Sequence, residues 1–236
     1  MRLNKYASLA GLGTRRQCAQ MISKEGIQVN GTLIFEPAFE VSDSDIIKFH
    51  DKELKPKVVL HYWLVNKPQK LPLLSQDDLS TATLVKKKSE LKLNPLGDMS
   101  DGSCGLCVFT NDVHLIQLFT SNRHKAKSQY IVPLLAPISL DTYQLIRDEI
   151  SKQGNGIVNC FHRLNESEEI EEITFEVIGE GDKVIYDFLL RHGLKFNKVD
   201  REWFCGMTKK DLKRGWSRPL SEKERIFLIH FTHTTQ

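Results

Sequence analysis

Arg2, Lys5, Arg15, Arg16 and Lys24 place five cations in the first 24 residues, with no acid among them. A guanidinium fork matches phosphate oxygens two at a time, so the adjacent Arg15 and Arg16 suit a polyanion best. The competing reading of such a run is a solvated helix face. Cys104 and Cys107 have the C-x-x-C spacing of a metal or redox pair. A zinc site needs a second pair, and Cys160 and Cys205 stand apart, so no metal site is expected. On a strand, positions 104 and 107 point to opposite faces, which favours core packing. His230 and His233 fall in the C-terminal tail without a partner for a ligand role. Seven Glu and no base occupy residues 166–180, read as a solvated loop and strand edge that would repel a polyanion. Trp203 and Trp216 lie in a second basic stretch, 201–218, where Trp216 reads as structural rather than as a stacking platform.

Elements must hold these groups. Leu3, Tyr6 and Ala10 recur at helical spacing, and Gly11 and Gly13 end that helix. Thr14 and Gln17 have the spacing of a capping box for a second helix with Cys18, Met21 and Ile22 on its buried stripe. Gly26 suits its stop, and Asn30-Gly31 is a strong hairpin signal. Residues 1–52 therefore read as two helices on a small antiparallel sheet. Asp51 to Lys57, polar and containing Pro56, reads as a linker. Strands are expected at 58–65, 104–109, 129–135, 156–161 and 173–178. Helices are expected after the cap-like Asp141-Thr-Tyr-Gln144 and Asp182, with a last short one from Ser221. Residues 74–92 read as a polar surface loop. Without a βαβ alternation, the larger part is expected to be an α+β domain on a mostly antiparallel sheet.

The chain has 236 residues, 40% apolar and 27% charged, with a formal net charge of +3. That fits a small module plus a larger domain. No apolar stretch has membrane-spanning length, and the start lacks the apolar core of a signal peptide, so a cytoplasmic protein without membrane contact is expected. Five cysteines, an odd number, argue against a disulfide framework.

The series Leu3-Asn4-Lys5-Tyr6, Gly11, Thr14-Arg15-Arg16, Gly26 and Val29-Asn30-Gly31 resembles the RNA-binding module named after ribosomal protein S-four. The resemblance implies a binder of structured RNA through Arg2, Lys5, Tyr6, Thr14, Arg15, Arg16 and Lys24. Thr14 is mainly a cap, and Tyr6 either stacks on RNA or is partly buried. Beyond it, Asn66-Lys67-Pro68, the segment Pro95 to Asp112 and the pattern Gly206…Leu212…Gly215-Trp216…Arg218…Glu224 resemble the bacterial rRNA pseudouridine synthases. With the module at 1–52, a synthase-like domain at 59–225 and a tail at 226–236, the resemblance covers nearly the whole chain. It implies a reaction that needs no metal or organic cofactor, a partner that is rRNA or the ribosomal particle, and a monomer.

The catalytic segment departs from the pattern. Gly97 and Gly105-Leu106 fix the register, and the family's catalytic aspartate then falls on Ser100. A serine hydroxyl stays neutral and does not attack carbon without a base beside it. Asp101 is the fallback carboxylate. Asp98 stands where the family has an arginine, and Val184, Tyr186 and Asp187 replace the polar and basic residues of a family helix. Tyr130 matches the tyrosine of the uridine pocket, or is a core residue of a strand. The expectation is an RNA-binding protein of this family without catalysis. The alternative is an active synthase that isomerises uridine to pseudouridine.

Overall fold

A computed structural model of the chain describes residues 1–42, 44–56, 59–75, 79–86, 93–121, 124–153 and 156–233. The chain divides into two compact units, Met1–Val59 and Leu60–Gln236.

In the first unit, helices α1 (Leu3–Leu9) and α2 (Arg15–Glu25) precede four short strands. These are β1 (Ile27–Val29), β2 (Thr32–Ile34), β3 (Ile47–Phe49) and β4 (Lys52–Glu53), in the sheet order β2-β1-β3-β4. Thr14 caps α2 as its spacing predicts. Its Oγ1 accepts from the Gln17 amide at 3.4 Å, and Gln17 Oε1 accepts from the Thr14 amide at 2.8 Å. Asn30 and Gly31 both have positive φ, 51° and 84°, the geometry of a tight hairpin between β1 and β2. The linker reading of 51–57 fails at its start. His50 and Asp51 make a second turn with positive φ, Lys52 and Glu53 pair with β3, and Leu54 is buried. The sequence concealed this because neither residue of that turn is the usual Gly or Asn.

The second unit carries a nine-stranded sheet. Its main path is β13 (Ser217–Pro219), β5 (Tyr62–Lys67), β7 (Ser103–Thr110), β11 (Val199–Phe204), β8 (Lys127–Ile138), β10 (Ile170–Ile178) and β9 (Ile157–Leu164). Two short strands, β6 (Asn94–Pro95) and β12 (Met207–Thr208), pair with β7 and β11. Among the described residues, every pairing in this sheet is antiparallel except that of β7 with β11. The helices are α3 (Thr81–Lys86), α4 (Val113–Thr120), α5 (Leu140–Gln153), α6 (Lys183–Arg191) and α7 (Glu222–His233). All eight residues of β7 are buried. Leu106 and Val108 pack with Phe119 of α4 and Phe204, whereas Cys107 and Phe109 pack with Leu73 and Val85. The sheet is thus covered on both faces at this strand, as alternating side chains require.

Several expectations need correction. The strand expected at 58–65 lies at Tyr62–Lys67, and residues 57–58 fall outside the described residues. The polar stretch 74–92 contains α3, whose Val85 is buried; residues 76–78 and 87–92 lie outside the described residues. Ser139, not Asp141, caps α5, its Oγ accepting from the Thr142 amide at 3.3 Å. The acidic run 166–180 supplies β10, an inner strand between β8 and β9, and Lys127 pairs with its buried Glu176 at 2.7 Å. The expected tail from 226 is the continuation of α7, with Leu228 fully buried against α4-side residues. Cys104 and Cys107 are both buried, and burial pushes the Cys107 thiol up to about 12. No helix among the described residues is long and apolar enough to cross a membrane.

Candidate functional site

On the first unit, Arg2, Lys5, Thr14, Arg15, Arg16 and Lys24 are exposed, and among the described residues no acid pairs with any of these cations. Arg15 and Arg16 occupy the first turn of α2. Free N–H groups there already favour phosphate. Tyr6 departs from its assigned role. It is 8% exposed, and its hydroxyl donates to the Leu54 carbonyl at 2.9 Å. Its place on the inner face of α1 makes it a core residue, so it offers no stacking surface.

In the second unit a cavity of about 600 Å³ opens between the 94–100 segment, α4, the start of α6 and β11. That volume suits a ligand the size of a nucleoside. Pro95, Leu96 and Phe119 give it apolar walls, and Asp98, Ser100, His124, Ser128, Asp182 and Arg201 supply polar groups.

Ser100 sits on the cavity wall in a turn closed by the Ser103 amide donating to the Ser100 carbonyl at 3.0 Å. Two devices hold this turn. From one side comes Lys67, at the end of β5. Its side chain is fully buried, and its ammonium donates to the carbonyls of Pro68, Ser100, Asp101 and Ser103 at 3.4, 3.2, 3.3 and 2.6 Å. Burial lowers its pKa, and nearby acids and thiols oppose that. From the other side comes α6. Asp182, expected to cap that helix, makes no cap; its Oδ2 accepts the Ser100 amide at 2.9 Å. One turn later, the Tyr186 hydroxyl meets Ser103 Oγ at 3.1 Å. A methyl group at Gly102 would lie 2.8 Å from that hydroxyl, so the turn and helix fit closely.

Arg201 forms the cationic part of the wall. It is 4% exposed, donates to the Leu106 carbonyl and at 3.3 Å to the Tyr130 hydroxyl, and lies 4.4 Å from the centre of the Phe204 ring. Among the described residues no carboxylate pairs with it. A buried guanidinium with hydrogen bonds but no counter-ion is costly, and such groups cluster at functional sites. His124 stacks on Phe119 with ring centres 4.0 Å apart, and burial, aided by the Arg201 charge, lowers its pKa to about 4.

The cavity therefore gathers Ser100 but leaves out two of the expected residues. Asp101 is exposed in the turn and does not line the cavity; its backbone carbonyl, held by Lys67 and the Lys70 amide, is what the turn uses. Tyr130 is fully buried behind Arg201 and lies in the core with Phe175 and Ile185, as its second reading has it. Sequence reasoning missed Lys67, Arg201 and His124 as wall or support residues. Lys67 carried a signal, since it stands in the matched Asn66-Lys67-Pro68. Arg201 was legible only as one charge in a basic stretch.

The parallel pairing of β7 with β11 brings these parts together. A methyl group on Gly105 would lie 2.6 Å from the Arg201 amide nitrogen, so β7 has no room for a side chain at the position that pairs with Arg201. Next to it, Asp200 accepts Arg214 at 2.6 Å and Lys198 at 3.2 Å, and also binds Lys209. Burial raises the Asp200 pKa, but the hydrogen bonds and charges of Arg214 and Lys209 outweigh it and leave it at about 2.

Comparison with known proteins gives consistent findings. Residues 1–47 match the S4 domain. The chain is 26% identical over 152 residues to the ribosomal small subunit pseudouridine synthase A of Yersinia pestis, covering 64% of this chain and 65% of that protein. It is 30% identical over 142 residues to that of Haemophilus influenzae, covering 58% and 60%. The match thus spans less than two thirds of these two enzymes. An uncharacterized RNA pseudouridine synthase of Rickettsia felis is 26% identical over 227 residues, covering 94% of this chain and 97% of that one. A solved pseudouridylate synthase superposes with a TM-score of 0.59 at 22% identity, covering 97% and 99% of the two chains, and has the same fold.

Proposed function

We propose, from the premise that this chain is an S4-domain homologue of the rRNA pseudouridine synthases, that it binds structured rRNA as a monomer and does not isomerise uridine. One observation carries this reading. Ser100 lines the cavity at the position where the resemblance calls for a carboxylate, and Arg201, on the same cavity's wall, has no acidic partner among the described residues. A carboxylate is needed to attack the base or sugar of the uridine while the glycosidic bond is cut and remade at carbon-5. A hydroxyl needs a neighbouring base to do this. His124 stays neutral at physiological pH, but its Nδ1 accepts the Ala126 amide at 3.2 Å. Asp101 lies outside the cavity, and a displacement of about 1 Å costs roughly a hundredfold in rate.

A second reading, an active synthase, draws on Asp182. It is a buried carboxylate on the cavity wall, donated by α6 rather than by the expected turn. Incubating the protein with unmodified rRNA and mapping pseudouridine by carbodiimide and primer extension separates the two. The proposed reading expects no new modification at stoichiometric protein. A modification made by the wild type and lost in Asp182→Asn would replace it with the second reading.

A further inference from the structure

Loop 209–216 contains a surface that the S4 domain and the cavity do not use. Trp216 was expected to be structural, yet it is 56% exposed. The Lys213 ammonium lies 5.5 Å from the centre of its ring. An indole pairs a broad apolar face with a polar N–H edge, and here more than half of it faces water beside a cation.

The loop that carries it is rigidly held. The Gly215 amide donates to the Asn66 carbonyl at 2.8 Å, and the Asn66 amide donates to the Trp216 carbonyl at 3.0 Å. Asn66 Nδ2 donates to the Leu212 carbonyl at 2.8 Å, and its Oδ1 accepts Arg214 at 2.6 Å. Arg214 in turn is locked to the buried Asp200. One asparagine thus fixes both ends of the Leu212–Trp216 turn, so the backbone that carries the aromatic ring is ordered before any partner binds. The next residue in β5 is Lys67, which holds the Ser100 turn, so the platform and the cavity wall hang on the same strand end.

Not every charge here is available. Lys209 and Arg214 are neutralised by Asp200 and Glu202. Lys210 and Lys213 remain exposed, and among the described residues no acid pairs with them. An indole face with an ammonium held beside it is the chemistry that holds an unpaired base by stacking and its phosphate by charge.

We propose that Trp216 and Lys213 form a second RNA contact, a stacking platform for one unpaired base. It rests on the RNA-binding reading above. The platform selects single-stranded loops or bulges, because a paired base offers no free face.

The test uses the full chain and a fluorescently labelled hairpin RNA with a single-stranded loop, with anisotropy read against salt. Trp216→Ala should weaken binding about 5- to 160-fold, the range set by one stacked base, with the salt slope unchanged. Trp216→Phe should recover most of the loss. Lys213→Ala should reduce the salt slope by about 0.7. A blunt duplex RNA should bind Trp216→Ala as well as the wild type. Circular dichroism checks that the variants fold, and Lys213→Ala stands as the independent readout if Trp216→Ala does not. Wild-type affinity for the hairpin in a folded Trp216→Ala, or an equal loss on duplex RNA, overturns the platform. In that case Arg15→Ala with Arg16→Ala still weakens binding, and the reading of the chain as an RNA binder stands. A wild type that binds neither RNA removes both.

Discussion

Ser100 lies on the cavity wall at the position where the resemblance calls for a carboxylate. Restoring a carboxylate there is the simplest challenge, and Ser100→Asp is expected to leave pseudouridine formation undetectable by carbodiimide mapping. Asp98 and Asp182 already line the same cavity, and Asp182 already takes the Ser100 amide. A third carboxylate would face like charges that raise its pKa and disfavour the ionised nucleophile. Arg201 opposes this, and stoichiometric modification by Ser100→Asp would show that its charge wins. Ser100 itself was legible in the sequence, because Gly97 and Gly105 bracket it without a gap. The groups around it were not. Asp182 reads as a helix cap in sequence, since Asp before an apolar run is a cap signal; only the fold turns its carboxylate onto the Ser100 amide. Arg201 is 101 residues from Ser100, and no local pattern marks it as a neighbour.

Among the elements, β7 and β11 matter most, since their parallel pairing carries Arg201 to the cavity. Gly105 permits it. Gly105→Ala is expected to destabilise the second unit by roughly 3 kcal/mol or more, because a methyl group would overlap the Arg201 backbone at a residue with φ of 106°. A urea titration followed by far-ultraviolet circular dichroism would measure this. An unchanged midpoint would mean that the strands separate readily and that Arg201 is not fixed by them. The helices and strands with strong local signals were readable: α2 from Thr14 and Gln17, and the first hairpin from Asn30-Gly31. β11 was missed because Val199–Phe204 contains Asp200, Arg201 and Glu202, which read as surface. In the fold these charges are absorbed by Lys209, Arg214 and hydrogen bonds, so the strand is buried despite its composition.

Over the whole molecule the buried titratable groups set how stability responds to acid. His124 is held neutral at about 4 against an ordinary value near 6.5, so folding favours its uncharged form. The stability it confers is present above pH 6.5, declines as the pH falls, and is lost by about pH 4. It amounts to about 3 kcal/mol at most. Asp200 and Glu224 are both held at about 2, and their contributions fade between about pH 4.5 and pH 2. The Arg218 hydrogen bonds dominate the shift of Glu224, against the opposing effect of burial. The urea midpoint should therefore fall in two stages, and His124→Gln should flatten the first alone. A single-stage decline below pH 4.5 would show that His124 titrates normally.

The order of the large sheet also has a consequence in time. β5 is the first strand of the second unit, and its outer neighbour, β13, comes from residues 217–219. A ribosome making this chain releases β5 with one edge bare and keeps it so for some 150 residues of further synthesis, about eight to thirty seconds at ordinary elongation rates. The S4 domain is complete long before. A nascent chain therefore has a finished N-terminal unit, the part proposed above to bind RNA, while the rest is still an aggregation-prone open sheet. The Leu212–Trp216 turn, fixed by Asn66 of that same bare strand, is among the last pieces to set.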